Sequence, residues 1–305
     1  MKIACAFPDA VLGNEELSVL FPEWSAEKIF EKTGIRSRRI VSAEESVADL
    51  AERAGRALFE KEGVNPQTID FVLLCTQSPI YKLPPTACVL QHRLGIPTVA
   101  GALDYDLGCS GFVYGLSLAK GLVVGGMAKN VLLLTAETYS KYLAPADKTT
   151  RTIFGDGAAA VLVDHDMANR IGAFSFGTDG AGAEKLIVRD KTLFMDGPEI
   201  FNFTLDVVPK TMNDVLFKNG IKMEDVDLFV FHQANKFMLN AIRKINLIPR
   251  DKFYIDLEMT GNTVSSTIPI ALKQLSEAGR LQSGMKVMVM GFGVGLSWGA
   301  TILKI

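Results

Sequence analysis

Hydrophobic and polar residues alternate along the chain in two patterns. The continuous apolar runs Phe71–Cys75 and Val131–Thr135 are typical of parallel strands that are covered on both faces. Between Ser46 and Glu62, apolar residues return every three or four positions, which predicts an amphipathic helix. The chain therefore has the pattern of an α/β protein, in which strands and helices alternate.

The same alternation continues to the end of the chain. Further helices are predicted over residues 86–94, 110–124, 204–219, 235–245 and 265–278, and further strands over 228–231, 253–257 and 286–290. The second part looks like a repeat of the first, with the boundary near residues 163–171. We therefore expect halves of 1–165 and 166–305 that share one packed core. Proline and charged residues predict loops over 78–85 and 139–150.

Cys109 lies where an apolar run ends at Gly108 and a helix of small and apolar residues begins. Such a turn lifts a side chain off the end of a strand, and the first N–H groups of the helix direct positive partial charge at the sulfur. Both effects are expected to favour the nucleophilic thiolate. The other three cysteines lie inside apolar runs and are expected to be buried small hydrophobes: Cys5, Cys75 and Cys88.

Two further polar residues follow predicted strands. His232 comes directly after the run 227–231, and Asn262 comes shortly after 253–257. Residues just past the carboxyl ends of strands converge on one crevice in α/β sheets. Taken singly, a core or capping histidine and a turn asparagine beside Gly261 are the ordinary interpretations. Together with Cys109, the two residues predict a catalytic site.

Composition narrows the class of protein. The chain has 305 residues, 48% of them hydrophobic, which is enough for one large or two ordinary domains. Its net charge of -2 predicts no general affinity for nucleic acid or anionic membranes. The four cysteines have neither disulfide-like nor metal-type spacing, so we expect no metal. No apolar run approaches a membrane span, and no signal peptide is evident, so a cytoplasmic protein is expected.

Six motifs, in this order, carry a resemblance to a known family. They are Thr33-Gly34-Ile35-Arg36, Cys109-Ser110-Gly111-Phe112, Phe154-Gly155-Asp156-Gly157-Ala158, His232-Gln233-Ala234-Asn235, Gly261-Asn262-Thr263 and the glycine-rich stretch 291–299. Over nearly its whole length the chain resembles the β-ketoacyl-acyl-carrier-protein synthase III family of thiolase-like condensing enzymes. The resemblance implies a thiolase-like fold, in which two similar halves form five αβαβα layers.

The resemblance also implies a mechanism. Cys109 would accept an acyl group from a thioester, and His232 and Asn262 would stabilise the enolate formed when a malonyl thioester loses carbon dioxide. The backbone N–H groups of Cys109 and Val294 would form the oxyanion hole. The implied substrates are acyl-coenzyme A and acyl-carrier-protein thioesters, with no permanently bound cofactor. The activity is an acyltransferase of fatty-acid initiation or of a secondary pathway.

Further roles follow from the resemblance alone. It implies a homodimer that works with acyl-carrier protein. Residues matching substrate or pantetheine contacts are Asn235, Phe154, Lys148, Arg36 and Phe201. Leu83 matches the loop residue that reaches the neighbouring subunit's acyl tunnel. The basic residues Lys236, Arg243 and Lys244 are candidates for carrier docking.

The chain departs from the family pattern at five places. Val294 occupies a position where relatives usually have Gly, and its side chain is expected to narrow the site. Lys28 and Lys148 occupy the positions of the Trp and Arg that hold the adenine of coenzyme A, Phe237 replaces a common Arg, and Leu83 replaces a common Phe. Two alternatives to condensation stay open. One is acyl transfer from Cys109 to an alcohol or amine without decarboxylation, and the other is a subunit of a condensing heterodimer.

Overall fold

A computed structural model describes all 305 residues. The strands are β1 (Ile3–Ala6), β2 (Val11–Gly13), β3 (Ser37–Arg39), β4 (Phe71–Cys75), β5 (Gly101–Tyr105), β6 (Val131–Glu137), β7 (Gly157–Val163), β8 (Ile171–Thr178), β9 (Leu186–Arg189), β10 (Thr192–Met195), β11 (Leu228–Phe231), β12 (Lys286–Gly293) and β13 (Ser297–Lys304). The α-helices are α1 (Asn14–Leu20), α2 (Ala26–Thr33), α3 (Val47–Lys61), α4 (Thr86–Arg93), α5 (Gly111–Val124), α6 (Lys148–Arg151), α7 (His165–Arg170), α8 (Gly197–Asn219), α9 (Lys236–Ile245) and α10 (Thr267–Glu277).

Two sheets form the centre of the molecule. The first has the order β1-β7-β6-β4-β5, and β4 runs parallel to both of its neighbours. The second has the order β11-β12-β13-β8, in which β11 and β12 are parallel. The first sheet takes its strands from residues 3–163 and the second from residues 171–304. Two short two-stranded antiparallel sheets, β2–β3 and β9–β10, lie outside these sheets.

The helices complete five layers. Helices α3 and α4 pack on the outer face of the first sheet, and α8 covers the second sheet with α9 beside it. Helices α5 and α10 lie between the sheets, where their apolar side chains join one buried cluster with side chains of both sheets. Buried apolar side chains from all five layers thus fix the sheets, and with them the strand ends that carry the site.

Most of the predicted elements are present. The predicted strands 71–75 and 228–231 match β4 and β11, and Ser46 caps α3 by accepting from the N–H of Asp49 at 3.3 Å. The strand predicted over 253–257 is wrong, since only Phe253 forms a bridge, to Phe229. The helix predicted from residue 204 begins earlier, at Gly197, because Asp196 caps it.

Within the predicted loop 139–150, residues 139–142 form a 3₁₀ turn and α6 begins at Lys148. The segment 78–85 contains no helix or strand, as predicted.

Candidate active site

Cys109 lies between the end of β5 and the start of α5, at the position predicted for the nucleophile. Glycines on the neighbouring strand β12 make room for it. A Cβ atom on Gly293 would lie 2.8 Å from the Sγ of Cys109, and one on Gly291 would lie 2.4 Å from its carbonyl oxygen. Any larger residue at these two positions would displace the nucleophile.

Burial, followed by the charge of Glu137, raises the pKa of Cys109 to about 12. The backbone N–H groups of Val294 and Cys109 act in the opposite direction. The backbone N–H groups thus favour the thiolate, as expected, but desolvation outweighs them and the net pKa of the thiol is raised. Cys109 is a neutral thiol at pH 7 and must lose its proton when it attacks.

His232 follows β11 and is buried, with its backbone N–H donating to the Met290 carbonyl at 2.8 Å. Its Nδ1 lies 2.7 Å from the Thr267 hydroxyl, which is also 3.0 Å from the Val264 carbonyl. The hydroxyl has a single proton. If it donates to Nδ1, the imidazole carries its proton on Nε2; if it donates to the Val264 carbonyl, it accepts from Nδ1–H instead. Burial lowers the pKa of His232 to about 3, so the ring is neutral.

Asn262 lies in a turn that begins at Gly261, whose φ of +67° favours glycine. The N–H of Asn262 donates to the Ile153 carbonyl at 2.9 Å. Its side-chain Oδ1 accepts from the N–H of Val264 at 2.9 Å, which fixes the orientation of the amide. Its Nδ2 therefore lies toward His232, 3.5 Å from Nε2. Two N–H donors side by side can bind one oxygen atom.

The segment after Thr152 supports Asn262 from the other side. The N–H of Gly155 donates to the Asn262 carbonyl at 3.0 Å. Gly155 is packed so closely that a Cβ atom there would lie 2.5 Å from the Thr260 carbonyl oxygen. The fully buried Arg38 holds this segment by donating from Nη2 to the Thr152 carbonyl at 3.0 Å.

One cavity of about 480 Å³ brings these groups together, a size typical of small-ligand sites. Seven of its lining residues are Cys109, His232, Asn262, Asn235, Phe154, Phe201 and Phe237. Most of the remaining lining residues are apolar, including Leu186, Met195 and Ile200. The cavity can therefore bind an apolar chain that ends at Cys109.

The edge of the cavity is formed by the start of α9. The Oδ1 of Asn235 caps this helix by accepting from the N–H of Met238 at 2.8 Å. Phe237 is 65% exposed, and its ring lies 5.4 Å from that of Phe201. The three candidate docking residues all lie on α9: Lys236, Arg243 and Lys244.

Arg36 and Lys148 are not among the residues that line the cavity. Arg36 is paired with Glu258 at 2.6 Å, and Lys148 is paired with Glu23 at 2.6 Å. The Nζ of Lys148 also lies 5.4 Å from the centre of the Trp24 ring.

Trp24 has two more ammonium groups beside it, those of Lys28 at 6.0 Å and Lys32 at 5.3 Å. Trp24 therefore lies beside both Lys28 and Lys148, the two lysines that the family resemblance aligns with adenine-binding residues.

Glu137 is not predicted from the sequence, and two of the other three cysteines are less buried than expected. Glu137 is fully buried at the end of β6, and burial raises its pKa to about 8. Its place at the carboxyl end of an apolar strand, like that of His232, is the signal that could have revealed it. Of the cysteines expected to be buried, Cys75 is buried, Cys5 is half-buried and Cys88 is exposed.

No group of three or more His, Cys, Asp or Glu side chains lies close enough to hold a metal ion. None of the helices combines the length and the apolar character of a membrane span.

Two family profiles match this sequence. Residues 216–305 match the C-terminal part of 3-oxoacyl-[acyl-carrier-protein] synthase III, and residues 103–180 match the profile named for the synthase III itself. The β-ketoacyl-[acyl-carrier-protein] synthase III of Clostridium perfringens is 36% identical, over 98% of this chain and 96% of its own. The chain belongs to the synthase III family. The corresponding protein of Caldanaerobacter subterraneus is 34% identical, over 97% and 94% of the two chains.

Solved structures of the synthase III family have the same fold. A crystal structure of a 3-oxoacyl-(acyl-carrier-protein) synthase III is 51% identical, with a TM-score of 0.97 over 99% of this chain and 98% of that one. The synthase III of Pseudomonas aeruginosa PAO1 is 32% identical, with a TM-score of 0.92 over 99% and 96%. The priming β-ketosynthase of the R1128 polyketide pathway is 31% identical, with a TM-score of 0.91 over 100% and 95%. The fold predicted from the sequence, thiolase-like with five layers, is confirmed.

Proposed function

We propose that this synthase III catalyses decarboxylative condensation of an acyl group with a malonyl thioester. The observation that carries the proposal is the pair of fixed donors, the Nδ2 of Asn262 and the Nε2 side of His232, in the cavity that holds Cys109. Acyl transfer to an alcohol or amine forms no enolate, so the oriented amide of Asn262 would have no enolate oxygen to bind. Condensation uses all three residues.

In the first half-reaction, the Cys109 sulfur attacks the carbonyl carbon of an acyl thioester. The thiol proton leaves as the carbon–sulfur bond forms and ends on the departing thiolate, so the charge balances. The N–H groups of Cys109 and Val294, which lower the pKa of the thiol and so favour negative charge beside them, are the donors for the tetrahedral oxyanion. The product is an acyl group on Cys109, with its chain in the apolar cavity.

In the second half-reaction, a malonyl thioester loses carbon dioxide and its electron pair forms an enolate. The enolate oxygen accepts from the Nε2–H of His232 and from the Nδ2–H of Asn262. Because His232 is neutral and buried, it acts as a hydrogen-bond donor. The enolate carbon then attacks the acyl carbonyl, and the Cys109 thiolate leaves as the β-ketoacyl thioester forms. The thiolate takes up one proton from solvent, which restores the neutral thiol.

The carrier protein and the dimer belong to the same proposal. An acidic carrier would dock on α9, where Lys236 and Lys244 are exposed and Arg243 is half-buried. Asn235, which lines the cavity beside them, would contact the pantetheine arm. Leu83, 77% exposed in the loop after β4, would reach the partner subunit's cavity in a homodimer.

Intact-mass spectrometry after incubation with acyl-coenzyme A and acyl-carrier substrates tests the proposal, with Cys109→Ala as the control. One acyl adduct is expected, absent from the control, and the donor is whichever thioester loads. Addition of malonyl carrier protein should then remove the adduct and yield a β-ketoacyl carrier. Transfer of the acyl group to an alcohol or amine, without release of carbon dioxide, would contradict condensation.

A further inference from the structure

Glu137 is a buried acid with no basic partner. Its carboxylate is completely enclosed, and no lysine, arginine or histidine forms a salt bridge with it. Three donors satisfy it instead: the N–H of Gln77 at 3.0 Å and the Ser78 hydroxyl at 2.9 Å on Oε2, and the Ser265 hydroxyl at 3.0 Å on Oε1. Burying a carboxyl group without a cationic partner costs free energy of folding. Its hydrogen-bond partners therefore indicate which part of the site it supports.

One oxygen of Glu137 fixes the segment that orients both enolate donors. Ser265, which donates to Oε1, lies in the 3₁₀ turn Val264–Ser266. The N–H of Val264 orients the Asn262 amide, and Thr267 bonds to His232. Val264 itself has a φ of +55°, a strained value for a β-branched residue, so the turn needs support from its surroundings.

The other oxygen fixes the segment that supports the nucleophile. The Oε2 of Glu137 binds the N–H of Gln77, whose side chain donates to Asp106 at 3.0 Å. The Gln77 side chain also packs against Gly108. A Cβ atom added at Gly108 would lie 2.5 Å from the Oε1 of Gln77. Asp106 and Gly108 belong to the short loop that ends at Cys109.

We propose that Glu137 is a positioning residue that ties the Cys109 side of the site to the His232 and Asn262 side through one buried carboxyl group. This inference rests on the proposed function for the role of the two donors. It adds a residue that touches no substrate and acts on the geometry of both half-reactions.

The ionisable groups around Glu137 are all acids. They are Cys75 on β4, Asp106 and Cys109 on the nucleophile loop, Tyr105 at the end of β5, and Tyr139 and Tyr142 after β6. Above its pKa of about 8, Glu137 is ionised with no cation to offset its charge, and it then opposes formation of the Cys109 thiolate. The charge of Glu137 therefore adds a second, electrostatic effect on Cys109, which can be measured separately from its hydrogen bonds to the two segments.

The test measures the rate of Cys109 alkylation by iodoacetamide at a series of pH values. Intact-mass spectrometry follows the alkylated fraction. The E137Q variant keeps the shape and removes the charge, because its carbonyl can accept from Gln77 and Ser78 while its NH₂ donates to a reoriented Ser265 hydroxyl. Its alkylation profile should shift to lower pH by about one unit. Glu184→Gln, on an exposed surface, should match the wild type.

The second measurement separates the two sides of the site. Ser265→Ala removes only the link to the donor segment, so malonyl decarboxylation should fall about tenfold while alkylation of Cys109 changes by less than about twofold. Glu137→Ala should slow both reactions by about tenfold or more, with circular dichroism to check folding.

An unshifted E137Q profile together with unchanged decarboxylation in Ser265→Ala would overturn the inference, even where Glu137→Ala does not fold. Alkylation needs no acyl donor, so it tests the role of Glu137 independently of the condensation. Failure of the wild type to decarboxylate malonyl thioesters would instead contradict the proposed function.

Discussion

The centre of the cavity and its edge hold their polar groups in different ways. At the centre, His232 and Asn262 line the cavity, and Glu137 lies outside its lining; all three are buried, and each has at least one partner within 3.0 Å. At the edge, Lys236 and Phe237 on α9 are exposed. The centre is built for one fixed geometry, whereas the edge presents side chains to whatever docks there.

The difference has a physical cause. Hydrogen bonds at the centre lie in a water-excluded environment, where each donor is strong and each missing partner is costly. Ion pairs at the edge, such as Arg36 with Glu258, are screened by solvent and add little. Four departures from the expected family pattern, at Lys28, Leu83, Lys148 and Phe237, lie away from the proposed triad of Cys109, His232 and Asn262. The fifth, Val294, supplies a proposed backbone donor, which a change of side chain leaves in place. The proposed chemistry therefore needs none of the departing side chains.

The largest effect is expected when a donor at the centre is removed. His232→Ala and Asn262→Ala should each lower malonyl decarboxylation by about 10²- to 10³-fold, because the enolate oxygen loses a preorganised hydrogen bond. Acyl loading on Cys109 should stay within a few-fold of the wild type. Carbon dioxide release measures the first reaction and intact mass the second.

Asn169→Ala, on the exposed face of α7, is the matched control and should change neither reaction. If loading fell as steeply as decarboxylation in the Asn262 variant, the two half-reactions would not be separable, and the role of Asn262 as an enolate donor would be contradicted.

Crowding of the nucleophile should have the next largest effect. In Gly293→Ala, the new methyl group would lie 2.8 Å from the Sγ of Cys109, so acyl loading should slow by about tenfold or more. Overpacking should also reduce the free energy of unfolding by about 1–3 kcal/mol. Urea denaturation and timed intact mass measure the two effects.

Gly121→Ala provides the comparison, because a Cβ atom there meets nothing within 4 Å. This exposed position within α5 should gain about 0.5–1 kcal/mol from the higher helix propensity of alanine. Equal behaviour of the two variants would show that the space around Cys109 is not tightly constrained.

The sequence predicts strands and the residues at their ends better than it predicts the hydrogen bonds that irregular segments form. β11 and His232 follow from an apolar run and the polar residue after it. The strand over 253–257 fails because the side chain of Gln233 replaces a neighbouring strand. It donates to the Tyr254 carbonyl at 3.3 Å and accepts from the N–H of Asp256 at 2.8 Å.

Protonation was the hardest property to predict. The helix start near Cys109 is readable from the sequence, but the degree of burial and the charge of Glu137 depend on packing between distant segments. In the structure these effects raise the pKa of the thiol instead of lowering it. The link from Glu137 to Ser265 joins residues 128 positions apart, and no local pattern encodes it.

Lowering the pH should reduce the stability of the fold more than it changes hydrogen-bond donation by His232. The folded pKa of His232 is about 3 and its ordinary value is 6.5, so between these values the unfolded chain binds a proton that the folded chain does not. This residue's contribution to stability is therefore lost as the pH falls below 6.5, by up to about 1.4 kcal/mol per pH unit.

His232→Asn should remove that part of the pH slope in urea denaturation, relative to the wild type. Decarboxylation should show no loss from protonation of His232 between pH 8 and pH 5, because the buried imidazole stays neutral. An identical pH slope for the two proteins would contradict a neutral buried His232.

The smallest effect is expected at the edge. Phe237→Arg adds a positive charge to α9 and should lower the KM for an acidic carrier protein by about two- to fivefold at low salt, with the advantage lost at high salt. Alkylation of Cys109 should be unchanged. Phe217→Arg, 84% exposed at the end of α8, is the matched control, and an equal effect of both variants would point to net charge alone.

The most direct test asks whether the two reactions can be lost separately, one by removing the nucleophile and the other by removing an enolate donor. Both reactions are measured on one preparation of each variant. Acyl adduct formation and malonyl decarboxylation are followed in parallel for Cys109→Ala and Asn262→Ala. The account predicts that Cys109→Ala forms no adduct yet still releases carbon dioxide, while Asn262→Ala forms the adduct and releases almost none. Loss of both reactions in both folded variants would contradict a centre built from two separable parts.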